Sequence, residues 1–204
     1  MLTLKLILSL LAPIVCLVTV VSALPAHQLD KRAKAQVFRS CTVPNTVALT
    51  FDDGPYSYGN DLVNMLNAAG VKGTFFLKAI QRITGAIPAF VRPPFGDYND
   101  LVLEAAGARG QTIANWDFDS EDGKSATVAR QKGLYDAVVA AHPSSILSLQ
   151  HEVHQTSVYE VLPYAIEKLK GAGYRFVTVA ECLNIRPYQT LGAPAPRDVW
   201  GPKI

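Results

Sequence analysis

The chain has 204 residues, of which 49% are hydrophobic and 18% charged, and its formal net charge is +2. That length supports one well-buried catalytic domain. Lys and Arg are spread along the sequence instead of clustered, so it lacks the basic footprint that a nucleic-acid partner needs.

In chain order, Lys5 precedes the apolar run LILSLLAPIVCLVTVV, and the small-residue sequence Val21-Ser22-Ala23 suits signal-peptidase cleavage after Ala23. Residues 1–23 therefore read as a secretory signal peptide. A membrane anchor is the alternative, because the run sits near the lower limit of about 17 apolar residues for a span. Residues 24–40 read as a propeptide or linker: the dibasic pair Lys31-Arg32 looks like a processing site, and a solvated basic stretch is the plainer alternative. The expectation is a secreted protein of the extracellular space or cell wall, monomeric and without membrane contact after cleavage.

Cys16 leaves with the signal peptide, so Cys41 and Cys182 remain, one before the first predicted strand and one after the last. A disulfide between them closes a loop of more than 100 residues, worth about 4 to 5 kcal/mol in the chain-entropy model. Two buried free thiols are the alternative.

Short apolar runs then alternate with helical patterns. Strands are predicted at 46–51 (TVALTF), 73–77 (GTFFL), 89–94 (AFVRPP), 111–117 (QTIANWD), 145–151 (SILSLQH) and 175–180 (RFVTVA). Amphipathic helices fall between them in DLVNMLNAAG, DLVLEAAGARG, SATVARQKGLYDAVVAA and VYEVLPYAIEKLKGAG, several closed by Gly. Strand and helix in alternation imply an α/β fold with a parallel sheet. Residues 186–204, rich in Pro and aperiodic, read as an extended tail with no lipid-anchor signal.

Polar residues gather at the carboxyl ends of the predicted strands, where parallel α/β folds assemble their sites. Asp52 and Asp53 end one strand, RPPFGDYN ends another, the acidic WDFDSED follows a third, and His151 ends a fourth. By itself DDGP is a turn signal.

Taken together, TFDDGP, RPPFGDYN, NWDFDSED and LSLQHEVHQTS resemble, in order, four of the five signature motifs of the NodB-type polysaccharide deacetylases, carbohydrate esterase family four. The likeness is greatest to the secreted fungal chitin deacetylases and covers most of residues 41–185, which read as one NodB-like domain. The resemblance implies a distorted (β/α) barrel and a metal-dependent hydrolase that removes N-acetyl groups from chitin or a related N-acetylglucosamine polymer. It implies zinc, or another divalent metal, as cofactor. Asp53 matches the metal-binding carboxylate and Asp52 the general base that takes a proton from metal-bound water. Arg92 matches the arginine that orients the base, and the backbone N–H of Phe95 a donor to the tetrahedral oxyanion. His151 matches the general acid, oriented by Asp122 or, as second choice, Asp119. Leu149 shapes the acetyl pocket, and Phe95, Tyr98 and Trp116 are candidate sugar-stacking walls.

The fifth motif, a His-x-x-x-His pair of zinc ligands, is missing. The family places it between the GTFF and RPP strands, where this chain runs from GTFFL almost directly into KAIQRITGAIPAFVRPPFG. The histidines present are His27, His142, His151 and His154. The domain therefore reads as shortened near 77–83 by about one βα unit, roughly 50 residues by resemblance, as in a truncated or splice-variant chain. Six strands stand where the family barrel has seven. Two consequences are expected: loss of tight zinc binding, because a catalytic zinc normally has three protein ligands, and neighbouring strands left unpaired or joined by a cramped crossover. A chain that binds glycan without turnover is the alternative function. His151 or His154 joining Asp53 as substitute ligands is a further one.

Overall fold

The run Thr46–Asp52 forms the central strand β2, and its residues from Thr46 to Phe51 are buried. A strand buried on both faces needs apolar residues at successive positions, as parallel sheets do. In this computed structural model, residues 33–77 and 80–196 are described. The expected signal peptide at 1–23, residues 24–32 with the dibasic pair, and the last eight residues of the expected tail lie outside them.

The elements follow in chain order: β1 (Val37–Phe38), β2, α1 (Gly59–Ala69), β3 (Gly73–Phe76), α2 (Ile80–Thr84), β4 (Ile87–Pro88) and β5 (Phe90–Val91). Next come α3 (Asp100–Ala108), β6 (Thr112–Ala114), β7 (Phe118–Asp119), α4 (Val128–Ala141) and β8 (Ser145–His151). The chain ends with α5 (Leu162–Gly171), β9 (Arg175–Phe176), α6 (Val179–Leu183) and β10 (Tyr188–Thr190). All four amphipathic patterns form helices, as their spacing predicts.

Every pairing except that of β4 with β10 is parallel. β2 lies between β8 on one edge and, on the other, β3 along its upper half and β9 along its lower half. β7 flanks β8, and β6 pairs with β1 and β5. Side chains of β2 alternate by face: Val47, Leu49 and Phe51 join helices α1, α4 and α5 in one apolar cluster, while Ala48 points into a second with Ala114, Leu147 and the buried side of α6. Each large aliphatic side chain so buried contributes about 1.5 to 3 kcal/mol.

The strands therefore form the arc of a (β/α) barrel that does not close. Among the described residues, no backbone pairing joins the outer edge of β3 to that of β5. Of the two outcomes expected from the short junction, the unpaired one occurs. Ile80–Thr84 is a helical turn within that junction.

Three predicted strands are shortened, each for a local reason. The 89–94 strand pairs only at Phe90–Val91, because Pro93 and Pro94 offer no N–H to a ladder. The 111–117 strand breaks after Ala114, where the chain leaves β6 and resumes beside β8 with Asp117 N–H donating to Leu147 O (3.1 Å). The 175–180 strand stops at Phe176 because Thr178 caps α6 in a capping box: its hydroxyl accepts Glu181 N–H, and the Glu181 carboxylate accepts Thr178 N–H. The extended C-terminal stretch is docked: Gln189 Nε2 donates to Pro88 O and Arg109 O, and Gly192 N–H to Gly85 O. Cys41 and Cys182 form the expected disulfide across 141 residues, with Cα atoms 4.9 Å apart.

Candidate active site

β2, β3 and β8 end level with one another, Asp52 lying opposite Phe76 on one side and His151 on the other. Adjacent strands are roughly 4.8 Å apart, so this register alone brings the Asp52 and His151 backbones together. Beyond Asp52 the chain turns at Asp53, whose φ of 68° is a left-handed conformation that Asp tolerates. The two acids thereby part: Asp52 stays half-buried between strands, and Asp53 is exposed at the mouth of a cleft that both of them line.

Arg92 holds Asp52. Its Nη1 donates to Asp52 Oδ1 (2.8 Å) and Thr50 Oγ1 (2.7 Å), Nε to Ala114 O (2.9 Å), and Nη2 to Asn115 O (2.9 Å). The guanidinium carbon lies 4.3 Å from the Phe76 ring centroid and 5.4 Å from that of Trp116. The Arg92 side chain is only 2% exposed, so its charge is compensated by Asp52, carbonyl oxygens and aromatic faces, as a buried cation requires. Burial pushes the Asp52 carboxyl above its ordinary range, further than Arg92 and His151 pull it down, which suits a proton acceptor.

Asp122 settles which acid meets the histidine. Its Oδ1 lies 2.8 Å from His151 Nδ1, its Oδ2 accepts His151 N–H (2.8 Å), and Oδ1 also accepts Gly123 N–H. Asp119 does not reach the imidazole; it accepts from Glu121 N–H and pairs with Lys124. The bond to Asp122 raises the His151 pKa above its ordinary value, with burial opposing. Burial pushes Asp122 up, but the ring and backbone donors of His151 outweigh it and leave Asp122 below the usual carboxylate range. With Nδ1 engaged, Nε2 is the nitrogen left to exchange a proton with a substrate.

Pro94–Gly96 makes a tight turn in which Phe95 has φ 58° and is 93% exposed. Gly96 and Asp97 N–H bond back to Pro93 O and Pro94 O, a ladder that leaves out Phe95 N–H. Gly96 is required by close packing: a Cβ there would stand 2.6 Å from the Trp116 ring. Trp116, Leu149 and Phe95 line the cleft. Tyr98 does not; its hydroxyl accepts from Arg39, whose guanidinium sits over its ring.

The sequence reading missed Thr50, Phe76 and Glu152. Glu152 is 2% exposed, accepts Tyr56 N–H at 2.6 Å and fills the space beside Gly54, bracing the turn that follows the two acids. An acid directly after the site histidine was the available signal. Phe76 and Thr50 gave none, being indistinguishable from strand residues.

The donors do not fit a catalytic metal. Among the described residues no three His, Cys, Asp or Glu side chains are grouped to hold an ion. His154 packs edge-on to His151, ring centroids 5.8 Å apart, and does not join Asp53 in a ligand set.

The family model for polysaccharide deacetylases matches residues 39–79. A chitin deacetylase of Pestalotiopsis sp is 27% identical, the alignment taking in 72% of this chain and 67% of that protein. The alignment runs over 199 positions, yet 72% of 204 residues is about 147, so about 50 positions face gaps in this chain. A peptidoglycan-N-acetylglucosamine deacetylase of Listeria monocytogenes is 26% identical over 81% of this chain, which spans 44% of that protein's length. The solved structure of the chitin deacetylase from Colletotrichum lindemuthianum superposes with a TM-score of 0.71 at 22% identity, covering 80% of this chain and 98% of that one.

Proposed function

We propose that the chain acts as its polysaccharide deacetylase relatives do, with a cleft that binds an N-acetylglucosamine polymer, chitin or a related glycan, and with the catalytic groups of N-acetyl hydrolysis. The family match at residues 39–79 and the 27% identity to a chitin deacetylase support this. The observation that carries this reading is the convergence of two prepared dyads, Arg92 with Asp52 and Asp122 with His151, on one cleft that Leu149 also lines.

In this reading Asp52 takes a proton from the attacking water, and its raised pKa makes it a better acceptor. Arg92 keeps the carboxylate aimed. Phe95 N–H donates to the oxyanion that forms on the acetyl carbonyl oxygen. Leu149 and Trp116 enclose the methyl group. His151, whose pKa the bond to Asp122 raises, hands a proton to the departing glucosamine nitrogen. The family depends on a metal, but Asp53 alone supplies one ligand where a catalytic zinc takes three. No step is therefore routed through an ion.

That shortfall favours a second reading, a chain shortened in its interior that binds glycan without turnover. The signal-peptide and secretion readings fit both. One assay separates them: acetate release from chitohexaose, beside calorimetric binding of the same oligomer. Acetate release abolished by Asp52→Asn, with binding kept, supports the hydrolase. Binding without acetate supports the second reading. Absence of both refutes a glycan site.

A further inference from the structure

Beside the catalytic cleft lies a second, smaller pocket of about 210 Å³, lined by Arg39, Phe95, Gly96, Asn115 and Trp116. Phe95, Gly96 and Trp116 line the cleft as well, so the two spaces abut along the Pro94–Gly96 turn and the indole. Contacts tie this boundary to the catalytic groups. The Trp116 ring centroid lies 5.4 Å from the Arg92 guanidinium carbon, and Asn115, whose carbonyl accepts from Arg92, donates its side-chain N–H to Gly96 O (2.8 Å).

The polar chemistry of the pocket comes down to Arg39. Gly96 N–H is bonded to Pro93 O, the Asn115 amide nitrogen to Gly96 O, and Asn115 Oδ1 is buried out of contact with solvent. Arg39 Nη2 donates to the Tyr98 hydroxyl (3.2 Å), and its guanidinium carbon stands 5.9 Å from the Tyr98 ring centroid. Tyr98 thus restrains the guanidinium, while Nε and Nη1 keep their N–H groups free of protein acceptors among the described residues. None of the ion pairs among those residues engages Arg39. The pocket therefore presents an unneutralised cation beside two aromatic side chains.

We infer that this pocket takes a carboxylate carried by the sugar next to the one whose acetamide faces Asp52 and His151. The glycans bound then include ones in which N-acetylglucosamine alternates with a carboxylate-bearing unit. The inference rests on the glycan reading of the cleft. Size agrees, since the pocket falls below the about 300 Å³ at which pockets for whole small molecules begin and suits a side group better than a sugar ring. Charge agrees too: a guanidinium bonds a carboxylate about twice as strongly as a neutral acceptor such as a hydroxyl.

The test measures, by calorimetry on the whole chain, affinity for chitotetraose and for a tetramer of equal length in which every second unit carries an ether-linked lactyl carboxylate. A partly solvated guanidinium–carboxylate contact should tighten binding of the acidic tetramer about three- to tenfold, and raised salt should erode that gain. Arg39→Gln should abolish the difference between the two ligands and Arg39→Glu should reverse it; Arg39 is exposed, and urea midpoints near that of the unaltered chain show that the variants fold. Equal affinity for the two tetramers, or tighter binding of chitotetraose, overturns the inference while leaving the glycan reading standing on the binding itself. A preference for the acidic tetramer that survives either substitution, or that salt leaves untouched, also overturns it, because the carboxylate would then be met elsewhere. If neither tetramer binds, the glycan reading falls and the inference with it.

Discussion

Replacing Asp122 with Asn tests the His151 dyad without relying on turnover. The carboxylate is completely buried and the imidazole 18% exposed, so the 2.8 Å contact is shielded from solvent. A charge-assisted hydrogen bond in such a setting is worth about 1.5 to 3 kcal/mol, and at about 1.4 kcal/mol per unit the His151 pKa should fall by about one to two units. The sign is fixed: Asp122 stabilises the imidazolium, so removing its charge favours the neutral ring. Asn also cannot satisfy every donor facing the carboxylate. The imidazole, His151 N–H and Gly123 N–H all point at it, and one amide nitrogen must face a donor, at a further cost of about 1 to 3 kcal/mol in stability. The assay is a pH titration of imidazole NMR shifts, with His151→Gln identifying the resonance among those of His27, His142 and His154, and urea unfolding read alongside. A His151 pKa unchanged or raised in Asp122→Asn refutes the dyad.

Arg92→Met should destabilise by about 3 to 5 kcal/mol at neutral pH, since it leaves Asp52, whose side chain is 17% exposed, charged and unpaired. The folded-state pKa of Asp52, already raised, rises further, so the folded chain binds the extra proton. The deficit should then shrink as pH falls through that pKa, and a pH-independent deficit would count against the pairing. Gly54→Ala should cost about 1 to 3 kcal/mol, because its Cβ would stand 2.2 Å from Glu152 Oε1; an unchanged urea midpoint would show that Glu152 moves freely. Replacing Cys41 and Cys182 together should lose up to about 5 kcal/mol in guanidinium unfolding for a loop of this length, and a loss under about 1 kcal/mol would mean that the bridge constrains little.

The strand β2 with its two acids, the helices, the order of the motifs and the lack of a His-x-x-x-His pair were all legible in the residues alone. These are local matters: apolar runs, helical spacing and turn residues act within a few positions. The (β/α) barrel class and the disulfide followed from resemblance and cysteine count. Tertiary structure decided what depends on register and on edges. WDFDSED holds three aspartates within six residues, and only the turn at Glu121 to Lys124, which aims Asp122 at β8 and Asp119 at Lys124, separates their roles. Phe76 became a wall for Arg92 because β3 pairs with β2 in one register, and a slip of one residue would have presented Phe75 instead. By resemblance, the sequence raised the expectation of a shortened junction between β3 and β5. Only the packing of the strands, held by their pairing to β2 and β6, decided that the edges of β3 and β5 stay unpaired among the described residues.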